Sequence, residues 1–312
     1  MTLRQLESFL AVVDLRSFRK AAERVALSQP ALSQQIKELE RELDTPILER
    51  LGRTTALTEA GRILEAHARR VLATLQGARD AIAGLQGLRH GSLVLGASST
   101  PGIYLLPRVL ARFTTRYPGV DVTLRIGNTR ETEARVRASE VDLAVVGGHL
   151  SGAEETCTEA SLLDRLVLIV GRGHPWGRAG QLAAQRLREA RLLVREEGSA
   201  TRQVTETALA RAGIPVRARL ELGHTEAIKE GVRAGLGVAF VSEHAVRHEL
   251  GTGELRVVRV SGLTIQRHFH VIRHQARVLS PAARAFLECL HAHQPPARSV
   301  SRKAGRGPGR RR

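Results

Sequence analysis

The stretch from Glu59 to Leu88 constrains this chain most. Leu64, Val71, Leu75, Ala78, Ile82 and Leu85 recur mostly three or four residues apart, with polar residues between them. That spacing predicts one continuous helix carrying a narrow apolar stripe, the seam of a coiled coil. About 30 residues at a rise of about 1.5 Å each give roughly 45 Å of helix. A stripe so narrow cannot be a domain core, so it is expected to pack on the same stripe of a second copy. The helix also divides the chain, because the patterns on its two sides differ.

Before it, residues 1–58 read as short helices and a hairpin. A helix over Leu3–Leu15 would bury Leu6, Phe9, Leu10 and Val13. Ser17 is placed to cap a second helix, with Phe18, Ala21, Ala22 and Val25 facing inward. Ser28 caps a third, and Pro30 falls in its first turn, where a missing N–H is harmless. The apolar face of that helix is Leu32, Ile36, Leu39 and Leu43. Two short extended pieces around Leu51-Gly52-Arg53 look like a wing, and Thr58 caps the long helix.

After it, from Gly91, strands and helices alternate, the mark of an α/β fold. Strands at Ser92–Gly96, Val120–Ile126 and Val141–Val146 enclose helices at Ile103–Arg116 and Thr129–Ala138. A second unit begins near Leu163. It has strands at Leu166–Val170, Leu192–Arg195, Val216–Leu222 and Val238–Val241, and helices at Thr201–Ala212 and Thr225–Ala234. A strand at His268–Arg273 and a helix at Ser280–His293 follow. If they complete the first unit, the chain crosses twice between two lobes; alternation alone does not decide this. Residues 294–312 are rich in Pro, Gly, Arg and Ser and read as a disordered tail. The expected division is a reading head at 1–58, a linker helix at 59–90, a two-lobed domain at 91–293 and the tail at 294–312. Lobe I would take about 91–162 and 267–293, and lobe II about 163–266.

The net charge of +17 points to an anionic partner such as nucleic acid. It does not locate the contact surface. Met1–Leu88 carries thirteen Lys/Arg against eleven Asp/Glu, whereas Arg298–Arg312 carries seven and no acid. No apolar run is long enough to span a bilayer, and the N-terminus lacks the uninterrupted apolar run of a signal peptide. A cytoplasmic protein without membrane contact is expected. Cys157 and Cys289 form no metal-type spacing and read as two buried, reduced thiols rather than a redox pair.

No enzyme constellation emerges: the chain has no GxSxG, no HExxH and no P-loop. His244 and His248 stand one helical turn apart without a third ligand, so a solvated helix face outweighs a zinc site there. His268–His270 and His291–His293 are no more persuasive. No catalytic residue, metal or resident cofactor is expected.

The run FRKAAERVALSQPALSQQIKELERELDTPILERLGRTTALTEAG, Phe18 to Gly61, closely resembles the LysR-type regulators. So do DLAVVGG at 142–148, LELGHTEAIKEGVRAGLGVAFVS at 220–242 and LSPAARAFLECL at 279–290. The likeness is strongest to the branch that controls carbon-fixation and sulfur-assimilation genes. It implies a winged helix-turn-helix, a linker helix and a periplasmic-binding-protein-like effector domain. It further implies a dimer of dimers on double-stranded promoter DNA, with RNA polymerase as a further candidate partner. Asp44, Leu48 and Gln34 stand where the family usually has Gly, Phe and often Arg; the last bears on base preference.

If Leu32, Ile36 and Leu39 face the core, Gln29, Ser33 and Lys37 share another face, flanked by Pro30 and Gln34. Gln pairs with adenine, Ser with several base edges, Pro with a thymine methyl, and Lys with phosphate or guanine. The same positions match the family's DNA contacts. Ser28 at the helix start, and Arg53 with Thr54 at the wing tip, complete the set, Arg53 resembling a minor-groove contact. The plain alternative is a solvated face.

In two-lobed α/β domains, ligands bind between the lobes, where helix N-termini point. Ser98, Ser99 and Thr100 open one helix. Ser199, Thr201 and Arg202 open another, His224 and Thr225 a third, and Gly148-His149 follows a strand. Hydroxyls and free N–H groups there suit a small anionic effector, with Arg202 and His149 adding charge. Ordinary N-caps are the plain alternative. A solute-binding protein or small-molecule enzyme on the same two-lobed fold, and a nucleoid-type architectural protein, are the competing functions. The first 90 residues weigh against the former.

Overall fold

The computed structural model describes residues 1–51, 54–84, 90–150, 155–215 and 218–292. The head is built from α1 (Leu3–Leu15), α2 (Phe18–Arg24), α3 (Gln29–Glu42) and a hairpin of β1 (Leu48–Leu51) and β2 (Thr54–Leu57). Ser17 and Ser28 cap α2 and α3 by accepting from the backbone N–H of Lys20 and Ala31. Leu6, Phe9, Leu10, Ile36, Leu39 and Ile47 form the head's core. Leu48 pairs with Leu57 and Leu51 with Thr54 across the wing.

The linker is α4 (Glu59–Gly84). Thr58 accepts from the Gly61 N–H and donates to Pro46 O, which fastens the helix start to the wing base. Gly61 is required there: a Cβ would lie 2.0 Å from Ile47 O. The first part of α4 is spent inside the head, because Leu64 and Ala68 are buried in its core and Leu72 packs on it. The expected seam from Leu64 onward therefore begins later. Val71 and Ile82 are 45% and 68% exposed and Leu75 is half-buried, so an unpartnered stripe remains. Leu85 falls outside the described residues.

The first lobe begins with β3 (Gly91–Ser98), α5 (Ser99–Tyr104), α6 (Leu106–Arg116), β4 (Val120–Gly127), α7 (Thr129–Arg137) and β5 (Leu143–Gly147). The single helix expected over Ile103–Arg116 is instead two helices meeting at Leu105. Pro107 explains the break, since it has no N–H for the carbonyl four residues back and its ring crowds that carbonyl. β6 (Thr156–Gly171) is far longer than the Leu166–Val170 read from the sequence. Its first half mixes polar and apolar residues, so no apolar run announces it.

The second lobe contains α8 (Pro175–Ala179), β7 (Gln181–Ala183), β8 (Arg191–Val194), α9 (Ala200–Arg211), β9 (Ala218–Glu221), α10 (Thr225–Arg233), β10 (Ala239–Ser242), α11 (Arg247–Thr252) and β11 (Leu255–Ser261). Of these, α8, β7, α11 and β11 were not anticipated. β12 (Ile265–His274) and α12 (Pro281–Ala292) end the described chain.

One sheet runs through both lobes in the order β4-β3-β5-β12-β6-β11-β7, with β10 also on β6. β3 is parallel to β4 and β5. β12 is antiparallel to β5 and to β6, from Ile265 opposite Leu166 to His274 opposite Thr156. β6 and β12 are thus the two crossings between lobes. Phe269 of β12 and Phe286 of α12 lie in the core of the first lobe with Leu93, Leu95, Phe113 and Leu143. The fold places the C-terminal ends of β3 and β5, the end of β8 in its separate pair with β9, and the helices α5 and α9 around one cleft.

Candidate functional site

On the head, Gln29, Pro30, Gln34 and Lys37 are exposed and Ser33 is half-buried, while Leu32, Ile36 and Leu39 of the same helix are buried. Burial of that apolar stripe turns the polar one outward. The side chains of Gln29, Ser33 and Lys37 have no hydrogen bond or ion pair among the described residues. Gln34 donates to Glu38 Oε1 at 3.0 Å. Ser28 is exposed and spends its oxygen on the Ala31 N–H. Thr54 is described only as the first residue of β2, and Arg53 lies outside the described residues.

Between the lobes, the hydroxyls converge on two arginines that the sequence reading did not single out. Arg267, from β12, is buried and ion-paired to buried Asp164 at 2.8 Å. Its other nitrogens donate to Thr201 Oγ1 of lobe II at 2.9 Å and Thr100 Oγ1 of lobe I at 3.3 Å. Arg195, just past β8, donates to Thr225 Oγ1 of lobe II at 2.8 Å and Ser99 Oγ of lobe I at 3.1 Å, and pairs with Glu196. Each arginine therefore bridges both lobes. Burial pulls the Arg267 guanidinium below its ordinary value; Asp164 opposes that and the nearby Arg195 adds to it.

The hydroxyls are not equivalent. Ser99 donates its proton to Gly127 O at 3.0 Å. Among the described residues Thr100, Thr201 and Thr225 only accept from guanidinium, so each has an O–H left to donate, polarised by the charge behind it. Ser98 is buried but makes no side-chain cap bond. His224 caps α10 through Nδ1, which accepts from the Glu226 N–H, and the ring is exposed. Gly148 has φ +84°, and a Cβ there would meet Ala200 Cβ at 2.8 Å, so glycine lets β5 run against α9.

A cavity of about 350 Å³ opens between α7 and α9, lined by Thr129, His149, Ser199 and Arg202 among others. Arg202 gives its charge to Glu206 and Glu221, at 3.1 and 2.7 Å, rather than to the cleft. A second bridge joins the lobes: Tyr104 donates to Glu226, and buried Lys229 pairs with Glu226 at 2.9 Å and Glu249 at 2.7 Å. Burial, then Glu226, raises the Tyr104 phenol pKa, so it stays a donor. His244 lies half-buried with Nε2 4.0 Å from Asp164 Oδ1, not on a solvated face. Among the described residues no cluster of three metal-ligating side chains occurs, Cys157 and Cys289 are free, and no helix is long and apolar enough to cross a membrane.

The bacterial regulatory helix-turn-helix model of the lysR family matches residues 3–62, and the LysR substrate binding domain model matches 86–295. This chain belongs to the LysR family. It is 38% identical over 290 residues to a probable RuBisCO transcriptional regulator of Nostoc sp. strain PCC 7120, covering 91% of this chain and 86% of that one. It is 35% identical over 292 residues to the transcriptional activator CmpR of Synechocystis, covering 94% and 95%. Among solved structures, a point variant of full-length OxyR from Pseudomonas aeruginosa superposes with a TM-score of 0.77 at 25% identity over 93% of this chain and 95% of that one. The regulatory domain of Synechocystis CcmR in complex with 2-PG gives 0.61 at 31% identity over 65% and 97%.

As a LysR regulator the chain is a DNA-binding transcription factor and not an enzyme. The buried arginines of its cleft were missed because their signal is tertiary: Arg195, just past β8, and Arg267, on β12, are far apart in sequence, where an arginine reads as an ordinary solvated residue.

Proposed function

We propose that this LysR regulator reads its operator with Gln29, Pro30, Ser33, Gln34 and Lys37 and responds to a small anion held between the lobes of its effector domain. Two buried, mutually repelling arginines, each bonded to hydroxyls of both lobes, support the anion most directly. An anion accepting from Thr100, Thr201 and Thr225 would relieve that repulsion without displacing either guanidinium. The CcmR complex with 2-PG makes 2-PG a reasonable probe. His149 and Ser199 line the adjoining cavity and would admit or orient the ligand. Because the hydroxyls are buried here, entry requires the lobes to part, which couples binding to lobe angle. A coupling of about 1–3 kcal/mol suffices for regulation. The stripe of exposed Val71 and Ile82 with half-buried Leu75 between them suits a dimer, and two heads on a dyad suit a palindromic site. A dimer of dimers, in the cytoplasm and in contact with RNA polymerase, completes this reading.

The test is a DNase footprint on the operator with and without 2-PG. Thr100→Val with Thr201→Val should bind the operator as wild type does yet lose the ligand-dependent change. Thr100→Ser with Thr201→Ser should retain it. A valine pair that shows the full change at the wild-type concentration of 2-PG removes both residues from the site.

A further inference from the structure

A second cavity, of about 230 Å³, lies where α4 meets the first lobe. Its walls include Arg70, Ala73, Gly77 and Ala78 of the linker, His274 at the end of the crossing strand β12, and Val278 beyond it. Two hydrogen-bond donors of these lining residues are closed to solvent and have no hydrogen-bond partner among the described residues. His274 is only 4% exposed. Its Nδ1 accepts from the Ala276 N–H at 3.1 Å, so the neutral ring carries its proton on Nε2, and Nε2 is buried and unpaired. Burial first, then Arg70 and Arg277, hold this imidazole below its usual pKa, with Glu155 opposing them, which keeps the ring neutral near pH 7.

Arg70 Nε is likewise buried and unpaired, and its guanidinium has no carboxylate partner among the described residues. Arg277, close by, is different: it is spent on Asp142, Ser139 O and Val141 O. A buried unpaired donor is costly, and two beside one cavity call for an acceptor between them.

We propose that this cavity binds a small monocarboxylate with a short apolar body, its oxygens accepting from Arg70 and His274 and its carbons against Ala73, Gly77 and Ala78. The site is distinct from the interlobe cleft and does not depend on that reading. Its position gives it a way to act. On the next residue of the linker, Arg69 pairs with Asp14 of the head at 2.7 Å and Glu65 of the linker at 2.8 Å, and approaches Glu140 of the first lobe at 3.9 Å. A ligand wedged at Arg70 sets the angle between linker and lobe, and Arg69 passes that angle to the reading head.

The probe is isobutyrate, followed by saturation-transfer NMR on the full-length protein, a method suited to the millimolar affinity expected of so small a ligand. Wild type should show saturable transfer, and an excess of 2-PG should leave it unchanged. Arg70→Met, which keeps the length and removes the donors, should weaken binding roughly tenfold or more. Gly77→Leu should abolish it: a Cβ at Gly77 meets nothing within 4 Å, so a larger side chain has room to start into the cavity, and leucine favours the helix. Thr201→Val should bind isobutyrate as wild type does. Undiminished transfer in Gly77→Leu, or loss in Thr201→Val but not in Arg70→Met, overturns the proposal. So does a changed sedimentation size for Gly77→Leu, which would show that a second copy of the chain fills the cavity.

Discussion

On α3, Gln29, Ser33 and Lys37 face outward with no side-chain partner among the described residues, whereas between the lobes Ser99, Thr100, Thr201 and Thr225 are buried and each is held by an arginine. The first surface is free and must order its side chains when DNA arrives. The second is already ordered, and a ligand enters by parting the lobes that hold it. That contrast assigns different costs to the same kind of substitution. Removing a polar side chain from α3 should leave stability alone and cost binding. Removing one from the cleft should cost stability first, because a buried partner is left unsatisfied.

The largest effect is expected at Arg267. Arg267→Ala leaves Asp164, which is 0% exposed, without its ion-pair partner and should destabilise the chain by about 3–5 kcal/mol. Combining it with Asp164→Ala should recover part of that loss, because no buried charge remains. Urea unfolding of the full chain measures both. An Arg267→Ala protein as stable as wild type would erase the contrast.

Gln29→Ala and Ser33→Ala come next. Each should weaken cognate binding by about 1–3 kcal/mol, change random-sequence binding little and shift stability by no more than about 0.5 kcal/mol. Gel shifts on operator and scrambled DNA check this. Undiminished operator affinity would mean that α3 is only a solvated face.

A smaller effect, through pH, should arise on the effector side. Burial holds His244 and His270 below their usual pKa in the folded state, despite Asp164 beside His244 and, at His270, a bond with Gly148. His174 and His274 shift the same way. Below about pH 6.5 the unfolded chain takes up protons that the folded chain resists, so stability falls as pH drops through that value and levels off beneath the folded pKa values. Melting should therefore be nearly flat above about pH 7.5 and decline towards about pH 5.5, and His244→Phe should lessen the decline. A flat profile across that range would show that these rings are not held neutral.

The two surfaces were also unequally legible. The reading face follows from period alone: Leu32, Ile36 and Leu39 must turn inward, so Gln29, Ser33 and Lys37 must turn outward, and the caps Ser17 and Ser28 fix where the helices start. The hydroxyls of the cleft were visible for a similar local reason, since each follows a strand and opens a helix. What period cannot supply is the partner. Arg267 lies 66 residues from Thr201 and 167 from Thr100, and only the return of β12 beside β5 and β6 brings them together. The first half of β6 was missed for a related reason: it is stabilised by pairing along β12 rather than by an apolar run. Arg202 illustrates the converse. It stands at the right helix start, but Glu206 and Glu221 claim its guanidinium.

The smallest effect concerns charge without sequence information. Lys37 is exposed on α3 and is placed to meet a phosphate, whereas Arg298–Arg312 brings seven positive charges from beyond the described residues. Both should add affinity by releasing counterions, but not in the same way. Lys37→Ala should weaken operator and random DNA alike and reduce the slope of log affinity against log salt by about one. Deleting Arg298–Arg312 should lower affinity only at low salt, with the loss vanishing once the Debye length falls to about 8 Å near physiological ionic strength. Operator preference should survive both changes, because neither removes a base-edge contact. A Lys37→Ala protein whose salt slope is unchanged but whose operator preference falls would place Lys37 on a guanine instead of a phosphate. The free face of α3 would then carry base recognition along the whole stripe from Gln29 to Lys37.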